Sequence, residues 1–73
     1  MEEEVLSIIN NIRAAKNIAP LETLNPEDRL RNDLGLTSFD LAELTVLIED
    51  EFDIDIFEDG LVSTIGEIYA KLA

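Results

Sequence analysis

The sequence predicts an all-α fold. Apolar residues recur at helical spacing in two long segments, a capping sequence opens a third near the C-terminus, and no strand finds a partner. The first helix spans about Glu2 to Lys16, where Val5, Ile8 or Ile9, Ile12 and Ala15 fall on one side. Three glutamates begin it, and Arg13 and Lys16 close it, as the macrodipole favours. Ala19-Pro20 then imposes an extended or turn conformation. A connection from Leu21 to Leu36 follows, with a turn or one helical turn at Asn25-Pro26-Glu27-Asp28 and with Leu24, Leu30 and Leu34 as anchors to the core. Gly35 supplies a sharp bend.

The second helix starts at Thr37 or Ser38 and runs to about Glu51 or Phe52. Thr37 suits the N-cap, and Asp40 falls three residues later in the first turn. Asp53-Ile54-Asp55-Ile56 alternates like a strand, but an isolated strand is not stable, so a loop is expected there with a single helical turn near Phe57–Leu61. Thr64-x-x-Glu67 is a capping box for a last helix to about Leu72, with Ile65, Ile68, Tyr69 and Leu72 as its apolar stripe. Gly66 weakens that helix slightly.

Composition narrows the functions. The 73 residues fit one domain, 1–73, and 47% of them are hydrophobic, enough for a core that is stable by a narrow margin. The chain has neither cysteine nor histidine, which excludes disulfides, thiolate nucleophiles, zinc–thiolate sites and a Ser-His dyad. A net charge of −12 repels nucleic acid and anionic membranes and favours basic protein surfaces. The acidic Met1-Glu2-Glu3-Glu4 start is unlike a secretory signal, and no long apolar run follows, so a cytoplasmic monomer without membrane insertion is expected. Asp53, Asp55 and Asp59 echo parts of an EF-hand loop, but the sixth-position glycine and closing glutamate are missing, so no defined metal site is expected.

From Asn32 to Ala70 every charged residue is acidic. A helical wheel of the second helix puts Leu41, Leu44, Ile48 and Phe52 on the core side. Phe39, Glu43, Val46 and Asp50 lie opposite, with Ala42 and Glu49 beside them. Isolated exposed apolar residues are ordinary, but two on one line among carboxylates form an interaction stripe. A serine at a helix start is usually a cap. Here Thr37 can cap, which leaves Ser38 available for modification by an outside enzyme, because the chain holds no base to activate the hydroxyl.

These residues resemble the acyl carrier protein family. Asp33-Leu34-Gly35-Leu36-Thr37-Ser38-Phe39 is similar to its DLG-x-DSL signature, and Ala42-Glu43-Leu44 and Ile48-Glu49-Asp50-Glu51-Phe52-Asp53-Ile54 continue the match. The resemblance implies a small four-helix bundle of three main helices and one short one. It implies a covalent 4′-phosphopantetheine arm on Ser38, attached by a phosphopantetheinyl transferase from coenzyme A, whose thiol carries acyl groups as thioesters. It implies no catalysis by the chain itself. Partners would be acyl-loading, elongating or acyl-transferring enzymes of fatty-acid or lipid synthesis, docking through basic patches. Position by position their contacts would be Phe39, Asp40, Glu43, Val46, Glu49 and Asp50, with Ala42 on the same face. An acyl pocket in the interior would be lined by Leu30, Leu47, Ile48, Ile56, Leu61, Ile65 and Ile68, residues that core packing alone would also explain.

The chain departs from the family pattern at Thr37 for Asp, at Phe39 for Leu, at Phe57 for a proline and in a slightly shorter segment between Phe52 and Val62. These point to a specialised carrier. A carrier of amino or hydroxy acids in peptide, polyketide or cell-envelope assembly shares the same residues. An unmodified acidic interaction module would need only the Phe39–Asp50 face.

Overall fold

The computed structural model describes residues Met1–Ala73 and is all-helical, with three helices and no strands. They are α1 (Glu2–Ala15), α2 (Ser38–Phe52) and α3 (Ile65–Leu72). Their apolar sides meet in one cluster: Val5, Ile9 and Ile12 from α1, Leu44 and Ile48 from α2, and Ile65 and Ile68 from α3. Ala15, expected on the buried stripe of α1, is exposed, because the helix ends there and the chain turns away.

The long connection is held as its leucines predict. Leu30, Leu34 and Leu36 are buried and Leu24 packs against the cluster. Polar groups complete the anchoring. The Asn10 side chain donates to the Leu21 carbonyl (2.9 Å) and accepts from the Leu21 N–H (2.8 Å), so α1 pairs with the connection like a short strand edge. Asn25 and Asp28 close the expected turn, the Asp28 N–H donating to the Asn25 carbonyl (3.0 Å) and the Asp28 carboxylate accepting from the Asn25 N–H (2.9 Å).

The connection is also joined to the start of α3. An isolated bridge pairs Arg29 with Thr64. The Leu30 N–H donates to the Ser63 carbonyl (2.9 Å), the Ile65 N–H to that of Asp28 (3.0 Å) and the Gly66 N–H to that of Pro26 (2.8 Å). Gly66 therefore does more than weaken a helix. A Cβ there would stand 3.0 Å from the Pro26 carbonyl oxygen, so glycine permits the close approach. The Thr64 hydroxyl accepts from the Glu67 N–H (3.3 Å), while the Glu67 carboxylate reaches back to the Ser63 N–H (3.3 Å).

The helical turn expected near Phe57–Leu61 is a non-helical turn, Ile56–Asp59. Its bonds run from the Glu58 N–H to the Asp55 carbonyl and from the Gly60 N–H to the Phe57 carbonyl, both 3.2 Å. Asp53 ends α2 in the left-handed region, at φ 58°, and the Asp55 carboxylate accepts from the Phe57 N–H (2.9 Å), so local side-chain bonds compete with any continuing helix.

Candidate functional site

The site is the start of α2. Thr37 is its N-cap: its hydroxyl accepts from the Asp40 N–H (3.2 Å), and the Asp40 carboxylate accepts from the Thr37 N–H (2.9 Å). Capping is therefore complete without Ser38. Ser38 is the first helical residue, exposed, and its hydroxyl makes no hydrogen bond within the protein.

Arg13, Lys16 and Gly35 fix the loop before Ser38. Arg13, at the end of α1, donates to the carbonyls of Ala19 and Leu34. Lys16 Nζ donates to the Gly35 carbonyl (2.8 Å) and pairs with the Asp40 carboxylate. Gly35, at φ 77°, makes the bend that brings these carbonyls toward α1. Within the signature, Asp33 accepts from the Arg29 N–H (2.7 Å) and pairs with the Arg29 guanidinium (3.0 Å), which closes the turn leading to Leu34.

Asp40 corrects an expectation. Read as a partner contact, it is 7% exposed and faces Lys16. It lies four residues before Leu44 and eight before Ile48, on the core row of α2, and this spacing is the signal that would have placed it inward. The Lys16 ammonium, and then the Thr37 N–H, hold its carboxyl below the ordinary carboxylate range against the opposing effect of burial.

The other expected contact residues are exposed together. Phe39 is 81% and Val46 66% exposed, and Ala42, Glu43, Glu49 and Asp50 share the outer side of α2 with them. Val46, Glu49, Asp50 and Asp53 border a shallow depression at the far end of the helix. No group of three or more acidic side chains is placed to share a metal ion, and Asp53, Asp55 and Asp59 do not converge.

Beside Ser38 lies a cavity of about 600 Å³. Its polar lining residues are Arg29, Arg31, Asn32 and Ser63, together with Ser38 itself, and its apolar ones are Leu30, Leu41, Ala42, Phe57, Leu61 and Val62. Of the residues expected to form an acyl pocket, Leu30 and Leu61 line this cavity. Ile48, Ile56, Ile65 and Ile68 are fully buried in the core, and Leu47 is half-buried against it. Leu61 is not an interior residue, as expected, but is 89% exposed, because it follows Gly60 (φ 129°) at the crest of the last loop. The sequence reading missed Arg29, Arg31, Asn32, Phe57 and Ser63, since no periodicity marks loop residues that meet only in the fold.

The site thus combines an exposed, uncommitted hydroxyl with a cavity of mixed polar and apolar lining. The profile of the family described as "Phosphopantetheine attachment site" matches residues 7–72. The chain is similar to an "Acyl carrier protein" of Picosynechococcus sp., 35% identical over 92% of this chain and 85% of the relative. It is also similar to an "Acyl carrier protein 3" of Ralstonia nicotianae, 40% identical over 77% of this chain and 64% of that relative. No solved structure matches the chain significantly. The chain belongs to the acyl carrier protein family.

Membership makes it a carrier rather than an enzyme, with a covalent 4′-phosphopantetheine as its cofactor. It also implies partners of two kinds, a phosphopantetheinyl transferase and acyl-handling enzymes. No helix is long and apolar enough to cross a membrane.

Proposed function

We propose that Ser38 is the attachment point, and that the chain is a single monomeric cytoplasmic carrier domain presenting acyl groups to enzymes of fatty-acid, lipid or related biosynthesis. The observation that carries this reading is the division of labour at the helix start. Thr37 and Asp40 satisfy the backbone, while the adjacent hydroxyl is exposed and unengaged beside the cavity. The oxygen of Ser38 forms the new bond to the phosphorus next to pantetheine in coenzyme A as the pyrophosphate P–O bond breaks and adenosine 3′,5′-bisphosphate leaves. The serine proton passes to a base of the transferase, since no side chain of this chain bonds that hydroxyl. When bound, the arm supplies a thiol that holds acyl groups as thioesters.

The chain's own residues supply position and shelter. Lys16, Arg13 and Gly35 hold the presenting loop. Leu41, Phe57, Leu61 and Val62 offer apolar surface worth about 0.8 kcal/mol for each methylene they cover. The Ile56–Asp59 turn stands where the resemblance implies a short additional helix. Phe39, Ala42, Glu43, Val46, Glu49 and Asp50 form the docking face for basic partners, an apolar ridge flanked by carboxylates that steer association.

Intact mass measurement tests the reading. With coenzyme A and a broad-specificity transferase, the wild type gains the mass of one arm and Ser38→Ala gains none. A silent wild type, or an equal gain in both, overturns it. Family membership favours this reading over an unmodified acidic interaction module.

A further inference from the structure

In a chain of net charge −12, four of the five basic side chains are committed. Arg13 holds the carbonyls of Ala19 and Leu34, Lys16 pairs with Asp40, Arg29 with Asp33 and Lys71 with Asp59. Arg31 alone has a side chain with neither an ion pair nor a hydrogen bond, although acids are abundant around it in sequence. It lines the same cavity as Ser38. Its backbone is fixed, since the Arg31 carbonyl accepts from the Gly35 N–H (3.1 Å) and the neighbouring Leu30 is tied to Ser63.

A guanidinium is matched to phosphate by its planar fork of donors. Resting on the attachment of the arm at Ser38, we infer that Arg31 binds the phosphodiester of that arm and holds its first segment against the cavity. The phosphate is the one anionic group that attachment places beside Ser38 whatever the cargo. Arg31 is thus a positioning residue: it acts on the tether, not on the thioester. The contact is exposed, so it weakens as salt rises.

The test compares apo and holo protein for the wild type, Arg31→Gln and Arg31→Lys, with holo forms verified by intact mass. The readouts are the NMR signal of the Arg31 Nε–Hε group and the melting temperature. Attachment of the arm should shift the Arg31 signal in the wild type and raise Tm by roughly 2–5 °C at low salt. Arg31→Gln should lose the rise in Tm, and Arg31→Lys should keep part of it. An unmoved Arg31 signal in the wild-type holo protein, or an equal rise in Arg31→Gln, overturns the inference. So does a shift that appears only when a carboxylate-bearing acyl group such as succinyl is loaded, which would assign Arg31 to cargo. The wild-type signal decides the matter even if Arg31→Gln folds poorly. Absence of the arm's mass from the wild type would instead remove the attachment reading itself.

Discussion

At the scale of single residues, Ser38 is available because its neighbours do the structural work. Thr37 caps the helix, Asp40 returns the cap, and Lys16 balances Asp40 from the end of α1. Replacing Asp40 by Asn removes the charge that Lys16 and the helix N-terminus both favour. The expected loss at neutral pH is about 1–2 kcal/mol, or roughly 4–16 °C in Tm. Because folding lowers the Asp40 pKa, its contribution is present above the unfolded carboxylate value near ~3.9 and is lost as pH falls through the folded value. The gap in Tm between wild type and Asp40→Asn should therefore narrow below about pH 4, and a gap that persists there would show that charge is not the cause. The cap was legible in the sequence, since Thr37 and Asp40 stand at the required spacing. The Lys16 partnership was not, because it joins residues 24 positions apart and depends on how α1 and α2 pack.

At the scale of elements, α2 is legible almost throughout. Its apolar row turns inward at Leu44 and Ile48 and its mixed stripe turns outward, as a period of 3.6 residues requires. Reversing charge on that stripe, Glu43→Lys with Glu49→Lys and Asp50→Lys, should slow arm attachment by the transferase at least tenfold while leaving the helical circular dichroism unchanged. An unaltered rate would move the docking face elsewhere. The first turn of α3 was less legible. Thr64 caps it as the spacing predicts, although Glu67 reaches the N–H of Ser63 rather than that of Thr64 and the full capping box does not form. The reason for Gly66 lies across space, in the carbonyl of Pro26. Gly66→Ala gains helix propensity and meets that oxygen at 3.0 Å. Crowding should prevail, with Tm lowered by an amount corresponding to about 1 kcal/mol. A raised Tm would mean that the backbone yields easily. The Ile56–Asp59 turn escaped the sequence reading because its apolar and acidic residues serve a loop as well as a short helix, and local bonds from Asp55 decide between them.

At the scale of the whole molecule, charge dominates. Most of the positive side chains are spent on internal carbonyls and carboxylates, so the outer surface meets other molecules as an almost unrelieved anion. Self-repulsion opposes folding, and no cluster of acids is built to hold one ion. Moderate salt or millimolar Mg²⁺ should thus raise Tm gradually, without a stoichiometric end point, as thermal denaturation over a concentration series would reveal. A flat or falling series would mean that the acids are too far apart to repel strongly. The core and its three helices were readable from the chain because burial imposes periodicity. The cavity was not, because it is assembled from two loops and a helix head. Its construction is unequal from side to side. The Arg29–Asn32 and Val62–Ser63 margins are riveted to each other by the pairing around Arg29 and Thr64, whereas the Phe57–Leu61 side is held by bonds spanning a single turn, the packing of Phe57 on the core and one exposed ion pair between Asp59 and Lys71. A bulky guest would therefore gain room on that weakly fastened side, like a purse that opens along one edge while the opposite seam stays sewn.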